Sequence, residues 1–450
     1  MGFADRREPF AFFGAILLNV LLGSLYCWSC YLVPLEQALG VGRGLLSGVF
    51  SLTTVCFTVA VAKIGPGLYS RLNPAVIGAG AAVVAGAGLL LASQALPYVS
   101  VVPLFFGYAL LFGVAAGVGY GLSVQISAIA PFGEGLSTGL VTSARAVGAF
   151  AFTPVIRRLL DVGGPGHAMW TVGALLLASS APLWVMLSRG GLDEPLANGR
   201  RDASEALTPE ETERNRQLRP ALITVWAALC LGVQAGLMVV SHAAALLRTH
   251  GASISIATAG VSIVSAFSTL GRVLGGWACD RPRIGAATVL RGAPALAAPA
   301  LAWAATAGNS VVAAQTALAA ASFAYGVLAS AVPVEVRRRV GRRDFSRAYG
   351  FVYTAWGLAG LAAPALAGVL FDARGSYTAA LTVATALSLG SAVVAATLRP
   401  GRSHEEWAAA IAEAKAREGA GGEDDDERTS SSDGDPTSES RSEPVAPAGA

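Results

Sequence analysis

Twelve stretches of about 20 mostly apolar residues follow one another along this 450-residue chain. A helix of that length and character is what crosses a hydrocarbon layer about 30 Å thick. Within such a layer no water satisfies backbone N–H and C=O groups, so each stretch must bond internally as a helix. The expected fold is all-α: a polytopic membrane protein with a first group of spans near 10–33, 44–64, 75–96, 101–127, 136–157 and 168–188. The second group falls near 221–246, 255–278, 286–306, 310–333, 349–370 and 377–397. Charge supports this reading: 14% of residues are charged, against about 25% in soluble proteins. That figure argues against a soluble multi-domain enzyme, and a net charge of only +3 argues against a nucleic-acid partner.

The sparse charges divide the chain. Residues 1–188 form an expected six-helix half, and 221–398 form the other. Between them 189–220 is polar, alternates acids with arginines and holds Pro195, Gly199 and Pro209, so it reads as a central loop. The segment 399–450 reads as a largely disordered tail, rich in Gly, Ser, Pro and acids, with a short polar helix over 404–417. The heaviest arginine clusters, in 189–219 and 337–347, fall on the same side as both termini. Positive loops stay inside, so loop, tail and both ends are expected in the cytoplasm of a cell-membrane protein, with Arg157 and Arg158 as the main exception. The five cysteines, including the Cys27-Trp28-Ser29-Cys30 pair, lie in or at the edge of apolar runs and read as buried thiols. Four histidines form no ligand cluster, and there is no phosphate loop or nucleophile elbow, so no metal, cofactor, enzyme or ATP-driven pump is expected.

The two halves echo each other. Tyr120-Gly121 in span 4 matches Tyr325-Gly326 in span 10. Leu160-Asp161-Val162-Gly163-Gly164 after span 5 matches Phe371-Asp372-Ala373-Arg374-Gly375 after span 11. Repeated six-helix halves mark a transporter architecture whose substrate site lies between them, near the membrane midplane.

Span 8 ends Gly276-x-x-x-Asp280-Arg281, which resembles the cytoplasmic loop motif of the major facilitator superfamily. Here the glycine lets helices close up, and the aspartate caps a helix start or pairs with an arginine, latching one conformation. The equivalent loop after span 2 keeps Arg71 but has Ser70 in place of the acid. Within that superfamily the chain resembles the oxalate/formate antiporter and monocarboxylate porter group. The resemblance is carried by Gly23-Ser24-Leu25-Tyr26-Cys27-Trp28-Ser29, by Gly236 to His242, and by Tyr349-Gly350-Phe351-Val352-Tyr353-Thr354-Ala355-Trp356-Gly357.

The resemblance implies that Arg272, in span 8, binds a substrate carboxylate. Physical reasoning agrees, since an arginine at depth costs about 2.5–3.5 kcal/mol and a bidentate carboxylate offsets that cost. The alternative is a guanidinium that reaches back to the interface or pairs with Asp280. In the oxalate antiporter a second cation, a lysine, lies in span 11, where this chain has Trp356. Span 5 instead carries Arg145, sixteen residues before Asp161, as Trp356 lies sixteen before Asp372. Arg145 is therefore expected as the relocated second cation, the alternative being an arginine that binds span-end carbonyls or cytoplasmic phosphates. Tyr26, Trp28, Tyr120, Gln125, Gln234, His242, Tyr325 and Tyr353 are the remaining pore candidates, with ordinary helix packing the competing role for each.

No acid lies inside a predicted span, and Ser268 stands where proton-coupled porters of this group have one, leaving His242 as the titratable candidate. The expected function is secondary transport of a small organic anion by alternating access, as uniport, proton symport or exchange with a counter-anion. A sugar or drug carrier of the same fold is the alternative. So is a non-transporting sensor whose cytoplasmic tail binds a protein partner.

Overall fold

The computed structural model describes residues 8–129, 132–191, 209–398 and 405–413. Ten stretches among them are long and apolar enough to cross a membrane. The first four are α1 (Pro9–Leu39), α2 (Gly44–Tyr69), α3 (Pro74–Ser93) and α4 (Leu104–Ile129). Next comes Glu134–Arg189, which Gly164 divides into α5 and α6 by adopting φ 74°. The second half holds α7 (Thr212–Val240) and α8 (Ile254–Cys279), then α9 (Gly285–Thr306), a helix outside those ten. It ends with α10 (Val311–Arg342), α11 (Asp344–Arg374) and α12 (Thr378–Ala396). All twelve expected spans are helices, and among the described residues there is no strand. The central-loop segment 192–208 and the tail beyond 413 lie outside the described residues; of the predicted tail helix, 405–413 is helical.

Local chemistry sets the boundaries. Asn73 accepts a hydrogen bond from the Ala75 amide at 2.7 Å, with Pro74 opening α3. Ser253 and Ser310 cap α8 and α10 in the same manner. Gly164 and Gly375, the glycines of the repeated Asp–Gly turns, both hold left-handed backbone (φ 74° and 65°). A residue with a Cβ is strained there, so the turns recur because each half must reverse at the same place.

Helices pack where glycines allow backbone contact. Gly113 and Gly117 of α4, four residues apart, face the Thr53 and Phe57 carbonyls of α2, the close approach that small residues at this spacing permit. Arg291 donates to the carbonyls of Ala395 (3.1 Å) and Leu398 (2.6 Å) and ties α9 to the end of α12.

The halves meet along two seams, α5 against α8 and α2 against α11. Gly276 of α8 and Gly135 of α5 touch backbone to backbone, and Gly139 touches the Arg272 carbonyl. Gly350 of α11 lies against Ala62 of α2. These contacts concentrate at the end of the bundle that carries the arginine clusters, here termed the basic end. At the opposite end α8 buries only a stripe, Ala257, Gly260 and Val264, against its own half, and its other faces are exposed. The seam is therefore closed at the basic end and parted at the other.

A side chain at Gly276 has no room against the Gly135 backbone. Gly276→Val is expected to insert and fold but to part the basic end. Maleimide labelling of nearby Cys279, read by peptide mass spectrometry, should then rise severalfold over wild type. Unchanged labelling would show that this glycine contact does not set the seam.

Candidate functional site

Arg145 lies in the buried first half of α5. Its position is set by α1, because Gly23 lies against the Arg145 carbonyl and Gly148 against the Val20 carbonyl. Just beyond, α1 tightens into a 3-10 turn over Gly23–Cys27, which carries Tyr26. The guanidinium is walled by aromatic rings: Phe57 at 4.6 Å, Tyr26 at 5.3 Å and Tyr120 at 5.4 Å from its central carbon. It is only 4% exposed, and none of its three nitrogens has a hydrogen-bond partner among the described residues. An arginine stays protonated in a protein, so it cannot escape burial by losing its charge. Ring faces attract it by about 0.5–2 kcal/mol each, but they accept no N–H in the way an anion does.

Arg272 approaches from the other half. Its Nη1 donates to the Ser268 carbonyl at 3.0 Å and to the Ser268 hydroxyl, and its central carbon lies 5.2 Å from the Tyr325 ring. The remainder of the guanidinium is half-buried. Asp280 is engaged elsewhere, so Arg272 does not pair with it. The repeat thus has chemical content: each half's Tyr-Gly tyrosine carries an arginine over its ring, Tyr120 under Arg145 and Tyr325 under Arg272.

An aromatic floor joins the two pairs. Trp356 donates from Nε1 to the Tyr325 hydroxyl at 3.0 Å and stacks on Tyr353 at 5.4 Å. Tyr353 lies 5.4 Å from Tyr120, and the Tyr120 and Tyr349 hydroxyls bond across the halves at 3.2 Å. Six of the expected site residues therefore converge with Arg145: Arg272, Tyr26, Tyr120, Tyr325, Tyr353 and Trp356.

Others stand apart. Trp28 packs on Tyr108 at 4.6 Å, inside the first half. His242 sits past the end of α7, bonded to the Ser241 hydroxyl at 3.0 Å and beside the Tyr377 ring that opens α12. It belongs to the end opposite the basic one, away from the arginines. Gln125 is buried with its amide nitrogen unpartnered, and Gln234 is half-buried on α7. Cys27 and Cys30 are free, and Cys27 donates to the Ala149 carbonyl. Sequence reasoning passed over Phe57 and Tyr349; only contact across helices distinguishes them from other apolar-span aromatics.

The basic end holds the latch. Asp280 accepts from the Gly135 amide (2.6 Å) and the Leu136 amide (2.8 Å), so it caps α5 across the halves. Arg281 lies over Trp277 of its own helix at 4.2 Å, and Arg71 is exposed at the end of α2. The cross-half cations are instead Arg337, which bridges to Glu134 at 2.9 Å and to the Val124 carbonyl, and Arg342, which reaches the Ala128 carbonyl at 3.1 Å. The arginine run had signalled only orientation in the sequence. One expectation is corrected: α10 runs on to Arg342, past the predicted end of span 10, and thereby contains a buried acid, Glu335. Its Oε1 accepts from Arg339 at 2.7 Å and its Oε2 has no partner among the described residues. The bundle therefore has a buried carboxylate, at the basic end rather than beside Arg272.

No family model matches the chain. The oxalate:formate antiporter of Oxalobacter formigenes is 24% identical over 283 residues, covering 62% of this chain and 65% of that protein. Monocarboxylate transporter 9 of Rattus norvegicus is 28% identical over 227 residues, covering 47% and 40%. The match thus spans less than two thirds of either relative. Among solved structures, the major facilitator transporter FucP in its outward conformation superposes with a TM-score of 0.64 at 17% identity, covering 87% of this chain and 99% of that one. The chain has the helical fold of the major facilitator transporters. The proton:xylose symporter XylE shares the fold at a TM-score of 0.61 and 15% identity, covering 89% of this chain and 99% of that one. In sequence the chain is similar to an oxalate:formate antiporter and to monocarboxylate transporters.

A buried charge without a partner destabilises the protein that carries it. Replacing Arg145 by the apolar Met should raise the thermal midpoint of the ligand-free protein in detergent, by an amount equivalent to roughly 1–4 kcal/mol. A lowered midpoint would mean that the guanidinium is a structural tie.

Proposed function

We propose that this chain is a secondary transporter of small carboxylate anions that works by alternating access. The observation that carries this reading is Arg145: a permanent cation, buried in the seam between the halves, walled by rings and without an acceptor. A carboxylate supplies two acceptor oxygens in the geometry a guanidinium fork prefers. Arg272 offers a second fork from the opposite half, so an anion held by both ties the halves together. The aromatic floor limits size and leaves hydroxyls of Tyr26 and Tyr325 for the rest of the solute. Sugar carriage is less suited to a site whose charged members are two arginines and whose amides, Gln125 and Gln234, stand outside the cluster.

The orientation follows the arginines. The basic end, with both termini, faces the cytoplasm, and the parted end faces outward. On this reading the structure is the outward-open state, and Asp280, Arg337 and Arg342 hold the inner gate. An empty carrier would have to close over two bare cations, since Ser268 and not an acid accompanies Arg272. That favours exchange of one anion for another over net transport with a proton.

Proteoliposomes provide the test. Uptake of labelled formate, lactate and oxalate is measured with and without unlabelled carboxylate inside, and with and without a proton ionophore. Uptake of at least one carboxylate is expected, stimulated by internal anion and indifferent to the ionophore. Arg145→Gln and Arg272→Gln should each lower it at least about tenfold, the loss of a charged hydrogen bond. Wild-type rates in both variants, or uptake of a neutral sugar with none of any carboxylate, would overturn the reading.

A further inference from the structure

On the surface of the second half, at the basic end, α7 and α11 diverge around a groove of about 750 Å³. Its rim is charged. Arg214, Arg219 and Arg347 face it with a single acid, Asp344. Arg214 donates to the Val340 carbonyl at 3.2 Å and lies 3.7 Å from Asp344, while its Nε is buried without a partner. Arg219 and Arg347 are exposed. Three cations against one acid leave the rim positive.

The walls between and beyond these cations are apolar. Leu218 and Leu222 lie one and two turns along α7 from Arg214, and Phe351 lies one turn along α11 from Arg347. At 1.5 Å per residue Leu222 is about 12 Å deeper than Arg214. Ile223 and Phe351, both in the lining, are 49% and 47% exposed, so the apolar part opens outward from the bundle. One turn deeper, Trp226 donates to the Thr354 hydroxyl at 2.9 Å and closes the groove by joining α7 to α11.

We propose that this groove is a binding site for a diacyl phospholipid with an anionic headgroup, independent of the transport site. The layering matches that one class of ligand. The phosphate meets the arginines at the level where helices leave the hydrocarbon, and an acyl chain lies along Leu218, Leu222, Ile223 and Phe351. A soluble anion leaves those walls wet. The acidic run Glu423–Glu427 of this chain has the charge to meet the rim but no apolar side chain for the walls. A bound lipid bridges α7 and α11 above the Trp226–Thr354 bond, on the helix that forms one of the two seams.

Native mass spectrometry of the full chain in detergent tests this, with phosphatidylglycerol, phosphatidylcholine or inorganic phosphate titrated in. Arg219→Gln combined with Arg347→Gln removes two exposed cations and leaves the bonds of Arg214 in place, so folding is spared. Wild type is expected to bind phosphatidylglycerol more tightly than phosphatidylcholine. A photoactivatable phosphatidylglycerol should crosslink to 214–223 or 347–351. The double variant should bind it about 25- to 30-fold more weakly, about fivefold for each arginine near a membrane surface. Equal binding of the two lipids, full binding by the double variant, or crosslinks elsewhere would refute the site. Displacement by millimolar phosphate would make it a soluble-anion site instead, and at least tenfold tighter lipid binding after deletion of 414–450 would make the tail its occupant.

Discussion

Where α5 meets α8, glycines remove the side chains that normally keep two helices 8–10 Å apart. Gly135, Gly139 and Gly276 bring backbone to backbone across the two halves, and much else follows from that approach. It puts the start of α5 within reach of the Asp280 carboxylate, which then satisfies two amides that a helix N-terminus otherwise leaves unbonded. At the other seam Gly350 lies against Ala62, and the neighbouring Tyr349 bonds Tyr120 across the halves. The approach of α5 to α8 also closes the basic end beneath Arg145, so that cation is cut off from water on one side while its own half supplies only aromatic faces. A glycine contact is weak in itself; its effect here is to decide what else can touch.

Two arginines in one bundle play different parts because their surroundings differ. Arg272 has a local acceptor in Ser268, one turn back on its own helix, and is half-buried. Arg145 has none and is almost fully buried. A charge in that position is tolerated only where something else compensates, and the compensation inside the chain is limited to ring quadrupoles. Strain of this kind concentrates at functional sites, where a ligand supplies what the protein omits. The neighbouring polar network at the basic end is of the opposite sort: Arg337 and Arg342 find acceptors in the first half.

Much of the bundle was legible in the residues because hydropathy is a one-dimensional signal. A run of apolar residues has to be a span wherever it packs, and the recurrence of Asp–Gly turns announced the two halves. The candidate site was legible in part. An arginine in an apolar run stands out against its neighbours, and the alignment of Arg145 with Trp356 on the repeated turns placed both in the region where they are found. Aromatics do not stand out in that way. Trp28 and Tyr26 are two residues apart, yet a 3-10 turn sends one onto Tyr108 and the other over Arg145. Phe57 carries no mark at all, and Tyr349, though it opens the span-11 motif, is not marked as part of the site until α2 and α11 are set side by side. The predicted end of span 10 fell short for a related reason: charge looks like the end of a membrane helix, but Glu335 and Arg339 pair one turn apart on the same helix and α10 continues through them.

The sequence by itself determined that this is an all-helical membrane bundle in two related halves, that its intramembrane charge is chiefly basic, and where the chain turns. Those properties follow from segment length, hydropathy and glycine backbone freedom, each of which acts within a few turns of helix. The tertiary structure decided which end of the bundle is closed, that Asp280 binds helix amides rather than an arginine, and that Arg145 is left without an acceptor. Those outcomes depend on which backbones approach across the halves. That approach is a property of pairs of helices far apart in the chain, and no single span encodes it.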